Sequence, residues 1–181
     1  MPTYVAFLRA LNVGGRQYKM ASLRDCLTNS GLTDVETYIQ TGNVRFTSTM
    51  RSAAKVEKHV EAALRDGCGF DVPAIIFTPP QLRDIYGDAR STPPPHDGVH
   101  GERRYVSVFK EGEQPTGEAA ERMAAWGAPG EAGMVIGRAV HVWLDGPMSE
   151  ARFFGEFKKP LAPGTNRNLT VIRTLVERWG G

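Results

Sequence analysis

An α+β fold of two ferredoxin-like (βαββαβ-type) halves is predicted by three observations. Residues 1–78 read as strand, helix, strand, strand, helix, strand; a proline- and glycine-rich break follows; and a similar order resumes beyond it. The second half departs at its end, where an apolar stripe of helical period stands in the last position, so that half is expected to close in a helix. At 181 residues the chain has room for two small domains, since domains can be as short as about 50 residues. The expected division is a ferredoxin-like half over 1–86, a linker over 87–102 and a second α+β half over 103–181.

Each element has a local cause. "TYVAFLRAL" is rich in strand formers and runs into the pair Gly14-Gly15, which predicts a strand from Thr3 to Arg9. Leu23, Cys26 and Leu27 recur at i, i+3, i+4 with Gly31 behind them, the pattern of a short amphipathic helix from Met20 to Ser30. "DVETYIQ" and "NVRFTS" flank Gly42-Asn43, residues that tolerate positive φ, and so read as a hairpin. Ser52 is placed to cap a second helix carrying Val56, Val60 and Leu64, with Gly67 as its stop. "FDVPAIIFT" returns as a strand with Pro73 at its start, because proline cannot donate to a ladder.

After the helix-like "PQLRDIYG", the stretch "DARSTPPPHDGVHGER" reads as a linker or surface loop. "RRYVSVF" is then a strand, Thr116 to Trp126 a helix, "GMVIG" and "RAVHVWL" a hairpin, and Ser149 to Lys158 another helix. Ile172, Leu175, Val176 and Trp179 form the closing helical stripe.

Composition narrows the class. Apolar content of 41% and charged content of 23% match ordinary globular proteins and exclude general disorder. No run approaches the roughly 20 apolar residues of a membrane helix, and "MPTYVAFLRALN" lacks a basic leader, so a cytoplasmic location without membrane association is expected. Cys26 and Cys68 make no CxxC pair and read as reduced thiols in or near the core. The net charge of +2 does not mark a nucleic-acid binder, but the charges are uneven: Arg9, Arg16, Lys19 and Arg24 precede any acid, Arg152 to Arg173 is basic, and residues 111–131 are acidic.

Two basic segments could carry chemistry. In "FLRALNVGGRQYKM" the glycine pair lets a ligand approach the backbone while a helix follows, which suits an anion held by Arg9, Asn12, the backbone of Gly14 and Gly15, and Lys19. The spacing is neither that of a P-loop nor G-x-G-x-x-G, so no established nucleotide motif is present, and the bland alternative is a tight connection with solvated cations. In "PGTNRN", Asn168 and Thr165 suit N-capping of the last helix. Arg167 would then stand at the positive end of that helix, where a cation needs an acid such as Asp25 or Glu36, or a ligand anion, beside it.

Other signals are weaker. Phe7 and Phe46 fall on the first and third strands, where RNA-recognition modules of this topology stack bases, although core burial is the better explanation of both. "HDGVH", with His96 and His100, has a metal-like spacing only on a helix, and the triproline before it argues for a loop. His59 and His141 stand alone. There is no GxSxG elbow and no HExxH.

The segments "RALNVGG", "KMASL", "VETYIQTGNVRF" and "TNRNLTV" together resemble the bacterial family called domain of unknown function 1697. Its pattern falls here on Arg9, Asn12 to Gly15, Lys19, Met20, Thr37 and Tyr38, on Thr41 in a serine's place, on Gly42 and Asn43, and on Thr165, Arg167 and Asn168. The resemblance implies a compact α+β bacterial protein and supplies no substrate or mechanism.

The expected function is binding of an anionic, phosphate- or carboxylate-bearing ligand by Arg9, Asn12, Gly14, Gly15, Lys19, Asn43, Thr165, Arg167 and Asn168, with no cofactor or metal, in a chain expected to be monomeric. The alternatives are an enzyme acting on a phosphorylated metabolite, for which these motifs offer no general base, and a single-stranded nucleic-acid module. A module using the acidic segment against a basic partner has only charge in its favour.

Overall fold

The computed structural model describes every residue except Arg16. The chain divides into two compact units, the first made of Met1–Leu82 with Leu175–Gly181 and the second of Arg83–Thr174. No described helix is long and apolar enough to cross a membrane.

In the first unit the elements are β1 (Thr3–Leu8), α1 (Met20–Asn29), β2 (Thr33–Tyr38), β3 (Asn43–Thr47), α2 (Ala53–Cys68) and β4 (Ala74–Phe77). The sheet is antiparallel in the order β2-β3-β1-β4, two interleaved split βαβ units. Tyr4, Ala6 and Leu8 of β1 point to one face by strand alternation and join Val44, Phe46, Ala74 and Ile76 in a core with Leu23, Leu27, Val56, Val60 and Leu64 of the two helices. Ser52 caps α2, its Oγ accepting from the Lys55 N–H at 3.4 Å. Gly67 does not stop that helix; Gly69 does, in the left-handed conformation at φ 75°. Gly67 instead serves packing, because a Cβ there would lie 2.5 Å from Cys26 Sγ.

Phe7 and Phe46 are both fully buried, Phe46 against Tyr4 and Phe7 edge-on to Phe77. Register puts them on opposite faces of the sheet. Neither can stack a base, and the recognition-module alternative loses its support.

The chain continues through α3 (Pro79–Ser91), β5 (Arg103–Val108), α4 (Gly117–Ala124), β6 (Glu131–Ile136) and β7 (Ala139–Leu144). It then passes through a 3-10 turn at Met148–Glu150, α5 (Phe153–Glu156), α6 (Lys158–Leu161), β8 (Thr165–Asn168) and α7 (Leu169–Trp179). The second sheet, in the order β6-β7-β5-β8, repeats the first position for position. Its fourth strand is the "TNRN" segment, which the sequence reading makes a turn; β8 pairs with β5 from Val108↔Thr165 to Tyr105↔Asn168. The single helix expected over Ser149 to Lys158 is broken into three short pieces. The closing helix is present and buries Ile172, Leu175 and Trp179.

The segment after α3 is pinned to the second unit. Asp145 Oδ1 accepts from the N–H groups of His100 (2.9 Å) and Gly101 (2.7 Å), and His96 Nε2 lies 2.6 Å from the Trp126 carbonyl oxygen. That contact gives His96 a structural role.

A core of Phe109, Met123, Val140, Val142, Leu144, Phe153 and Phe157 fills one face of the second sheet. Gly133 on β6 makes room for it: a Cβ there would sit 2.2 Å from Phe153 Cε2 and Cζ, and the fully buried ring has nowhere to move. Gly133→Ala is therefore expected to destabilise the fold by about 2 kcal/mol through overpacking. Urea unfolding measures it; an unchanged midpoint would show that the ring can yield.

Candidate functional site

The predicted site residues divide between the units. In the first, the chain leaves β1 through Arg9, whose N–H donates to the Pro73 carbonyl at 2.9 Å, and enters a loop in which Gly14 and Gly15 are exposed at φ 60° and 84°. Chain neighbours aside, no atom of the described residues lies within 4 Å of a Cβ built on either glycine, so conformation rather than crowding calls for glycine there. Asn12 closes the loop. Its Nδ2 donates to the carbonyls of Gln40 (2.8 Å) and Tyr18 (3.4 Å), while its Oδ1 accepts from the Tyr18 N–H (2.6 Å).

Asn43 is fully buried and donates to the Tyr38 carbonyl at 3.1 Å and to Thr41 Oγ1 at 3.0 Å. Both asparagines thus build the loop and the β2-β3 hairpin with the groups a ligand would use. Lys19 is exposed at the cap position of α1 and makes no side-chain cap. Arg16 lies outside the described residues. Ala10 and Ile39, at φ 54° and 50°, occupy the left-handed region, which costs a non-glycine residue of order 1–3 kcal/mol; the hydrogen bond from Asn12 to Gln40 holds one of these bends in place.

In the second unit, Asn168 Oδ1 accepts from the Thr170 N–H at 2.8 Å and so starts α7, as the sequence predicts. Arg167 lies two residues before that helix begins. It sits in β8 opposite Val106, only 7% exposed, and its Nη1 donates to Thr165 Oγ1 and to the Asn166 carbonyl, each at 2.8 Å. Burial lowers its pKa to about 10. The argument that placed a misfit cation at a helix end therefore falls. Glu36, one of the acids suggested for it, is engaged by Arg178 at 2.7 Å, and this hydrogen bond holds its carboxyl below the usual range.

A different constellation forms around Asn168. Tyr86 and Arg90, four apart on α3, face the start of β5 (Glu102, Arg103, Arg104) and the start of α7 (Asn168, Leu169, Thr170, Arg173) across a cleft of about 260 Å³. The antiparallel pairing explains the convergence: with Tyr105 opposite Asn168, the residues before Tyr105 run alongside those that open α7. Four arginines and one acid, Glu102, are among the residues that line the cleft; Glu102 lies 3.9 Å from Arg103, and strand alternation sends the Arg103 and Arg104 side chains to opposite faces of the sheet.

Arg104 is the most constrained of the four. Its guanidinium carbon lies 4.3 Å from the centroid of the Trp143 ring, and Trp143 is 1% exposed. Its Nε and Nη2 are buried with no hydrogen-bond partner among the described residues, and desolvation lowers its pKa. Trp143 is itself held in place from behind, since a Cβ on Gly101 would meet its Cδ1 at 2.5 Å. Arg103 Nη1 donates to the Asp145 carbonyl at 3.1 Å, and Arg90 lies 5.8 Å from the Tyr86 ring centroid.

Of the residues named from sequence, only Asn168 lines this cleft. Arg90, Arg103, Arg104 and Arg173 sit in three separate segments of the sequence, and Arg90 and Arg103 each have an acid close by that balances the local charge.

Comparison with known proteins fits this architecture. The model of the protein family of unknown function DUF1697 matches residues 1–141. The chain belongs to that family. The match covers Arg9 to Gly15, Lys19 and the Thr37 to Asn43 hairpin, whereas β8 and α7 lie beyond it. No curated protein matches the chain. Among solved structures it resembles the conserved bacterial protein SP0830 from Streptococcus pneumoniae, with a TM-score of 0.73 and 22% identity over 100% of this chain and 99% of that one. Likeness at that identity speaks for the shared fold.

Proposed function

We propose that this DUF1697 protein binds an anionic ligand, bearing phosphate or carboxylate, in the arginine cleft of the second unit. The observation that supports the reading is a cleft whose lining residues include Arg90, Arg103, Arg104 and Arg173 beside the opening of α7, with Glu102 as the one acid among them. The backbone N–H groups opening an 11-residue helix add positive potential to a lining rich in arginine, which suits an anion. Arg104 is preorganised for the purpose: stacked on Trp143 and partly desolvated, it loses little freedom on binding and gains more from an anion than a fully hydrated cation would.

The half-buried Arg9 and the exposed Lys19, with the backbone of Gly14 and Gly15 in the first unit's loop, suit the same ligand chemistry. The cleft provides the stronger support. Its lining residues include no His, Cys or Ser, and the one carboxylate, Glu102, has Arg103 beside it, which favours binding over catalysis.

Titration against salt tests the proposal. A small-molecule site is expected to give a shallow log–log slope, near one, with inorganic phosphate or a short carboxylate, whereas a nucleic-acid surface would lose affinity with a slope of several on an oligonucleotide. Arg90→Ala should weaken small-anion binding about tenfold, the loss of one charge-assisted hydrogen bond. Absence of anion binding by the wild-type protein would refute the proposal.

A further inference from the structure

We infer that the outer edge of β6 pairs with β6 of a second copy of this chain, antiparallel about a two-fold axis, so that two four-stranded sheets become one. A sheet ends in strands whose outward N–H and C=O groups lack partners, and proteins guard such edges with short strands, bulges, charges or covering groups. Three of the four edges here are guarded. β4 has four residues, and α2 takes its outward donors: the Ala74 N–H donates to Glu61 Oε1 at 3.0 Å and the Ile76 N–H to Glu57 Oε1 at 3.4 Å. β2 is interrupted by a register shift between Thr33 and Glu36, where Asp34 stands at φ 51°. β8 has four residues, and its Asn166 carbonyl accepts from Arg167 Nη1.

β6 has none of these devices. It runs for six residues in unbroken register with β7, and residues 132–137 contain no charge and no proline. Glu131 turns its N–H away from β7 to the Ala128 carbonyl at 3.1 Å, so strand alternation turns the N–H and C=O of Gly133 and Val135 outward as well. Among the described residues, no hydrogen bond from outside the β6-β7 ladder reaches those groups. Met134, Val135 and Ile136 are each half-buried and leave apolar surface beside the open edge.

A second copy fits this edge because pairing about a two-fold axis satisfies the same backbone groups on both strands and sets no like charges opposite one another. With the other edges guarded, association stops at two. The contact is one short strand wide, so the dimer is weak and shows at high protein concentration.

Sedimentation equilibrium of the full chain from about 10 μM to about 1 mM tests the inference. The weight-average mass should rise toward twice the monomer value. Val135→Pro removes an outward donor and leaves the β7 ladder intact, and Ile136→Lys brings two cations close to the axis; both variants should stay at monomer mass, with circular dichroism confirming their fold. If the proline variant does not fold, the lysine variant decides alone. A wild-type chain that stays monomeric throughout would overturn the inference, even if it took up an added extended peptide, since the edge would then serve another chain. A folded Ile136→Lys variant that associates as strongly as wild type would put the contact elsewhere and overturn it too.

Discussion

Glu131→Ala is expected to destabilise the protein by about 4 kcal/mol, because one carboxylate satisfies three donors. Its Oε1 accepts from the Arg152 N–H at 2.8 Å; its Oε2 accepts from the Phe153 N–H at 2.8 Å and from Trp126 Nε1 at 3.0 Å. The residue is only 8% exposed, so water cannot replace it readily. Each donor left unsatisfied costs about 1–3 kcal/mol, and the Phe153 N–H is the most buried of them. Glu131 and Gly133 lie on the same face of β6, one tying down the backbone that opens α5 and the other admitting the Phe153 ring. Glu131→Gln should fall between wild type and alanine, since it keeps one good acceptor but turns an amide donor toward an N–H. Equilibrium urea unfolding measures the series; an alanine variant within 1 kcal/mol of wild type would show that the three donors find other partners.

Stability should also fall steeply in mild acid, through His141. This residue is fully buried on β7, with its ring centroid 6.4 Å from that of Trp143 and neither ring nitrogen hydrogen-bonded among the described residues. Desolvation, aided by the charge of Arg104, lowers its pKa to about 4. The imidazole is thus neutral in the folded state at pH values where the unfolded chain, with a pKa near 6.5, already binds a proton. The unfolded state holds more protons between the two values, so stability is complete above about pH 6.5 and declines as the pH falls toward 4. The loss reaches about 3 kcal/mol at pH 4. His141→Leu should flatten that part of the profile and cost little at pH 7, because it removes two polar atoms that lack partners. Denaturant midpoints at pH 7, 6, 5 and 4.5 for the two proteins decide it. Parallel profiles would mean that the acid loss comes from other groups.

Much of the fold was legible because its elements bury one face and follow a clear period. The α2 stripe of Val56, Val60 and Leu64 and the α7 stripe of Ile172, Leu175 and Trp179 show it. β8 was not legible. "TNRN" has no apolar alternation, and its pairing with β5 is specified by tertiary context rather than by propensity. The same miss misplaced Arg167: with the strand unseen, the arginine was assigned to a helix end, where its charge looked anomalous.

Asn12 and Asn43 were singled out as ligand-binding candidates; their buried or loop-closing amides also hold the loop and hairpin together, which spacing alone does not show. Glu131 was hidden inside an acidic run that reads as a solvated face. Two of the cleft arginines were hidden differently: Asp88 precedes Arg90 and Glu102 precedes Arg103, so local charge counting cancels there.

The claim that the arginine cleft is an anion site is tested most directly by titrating isotope-labelled protein with inorganic phosphate and following the backbone amide resonances. The account predicts saturable shifts concentrated in three segments, around Arg90, around Glu102 to Arg104, and around Asn168 to Arg173. Shifts confined to other parts of the chain, or no saturable shift at millimolar phosphate, would contradict it.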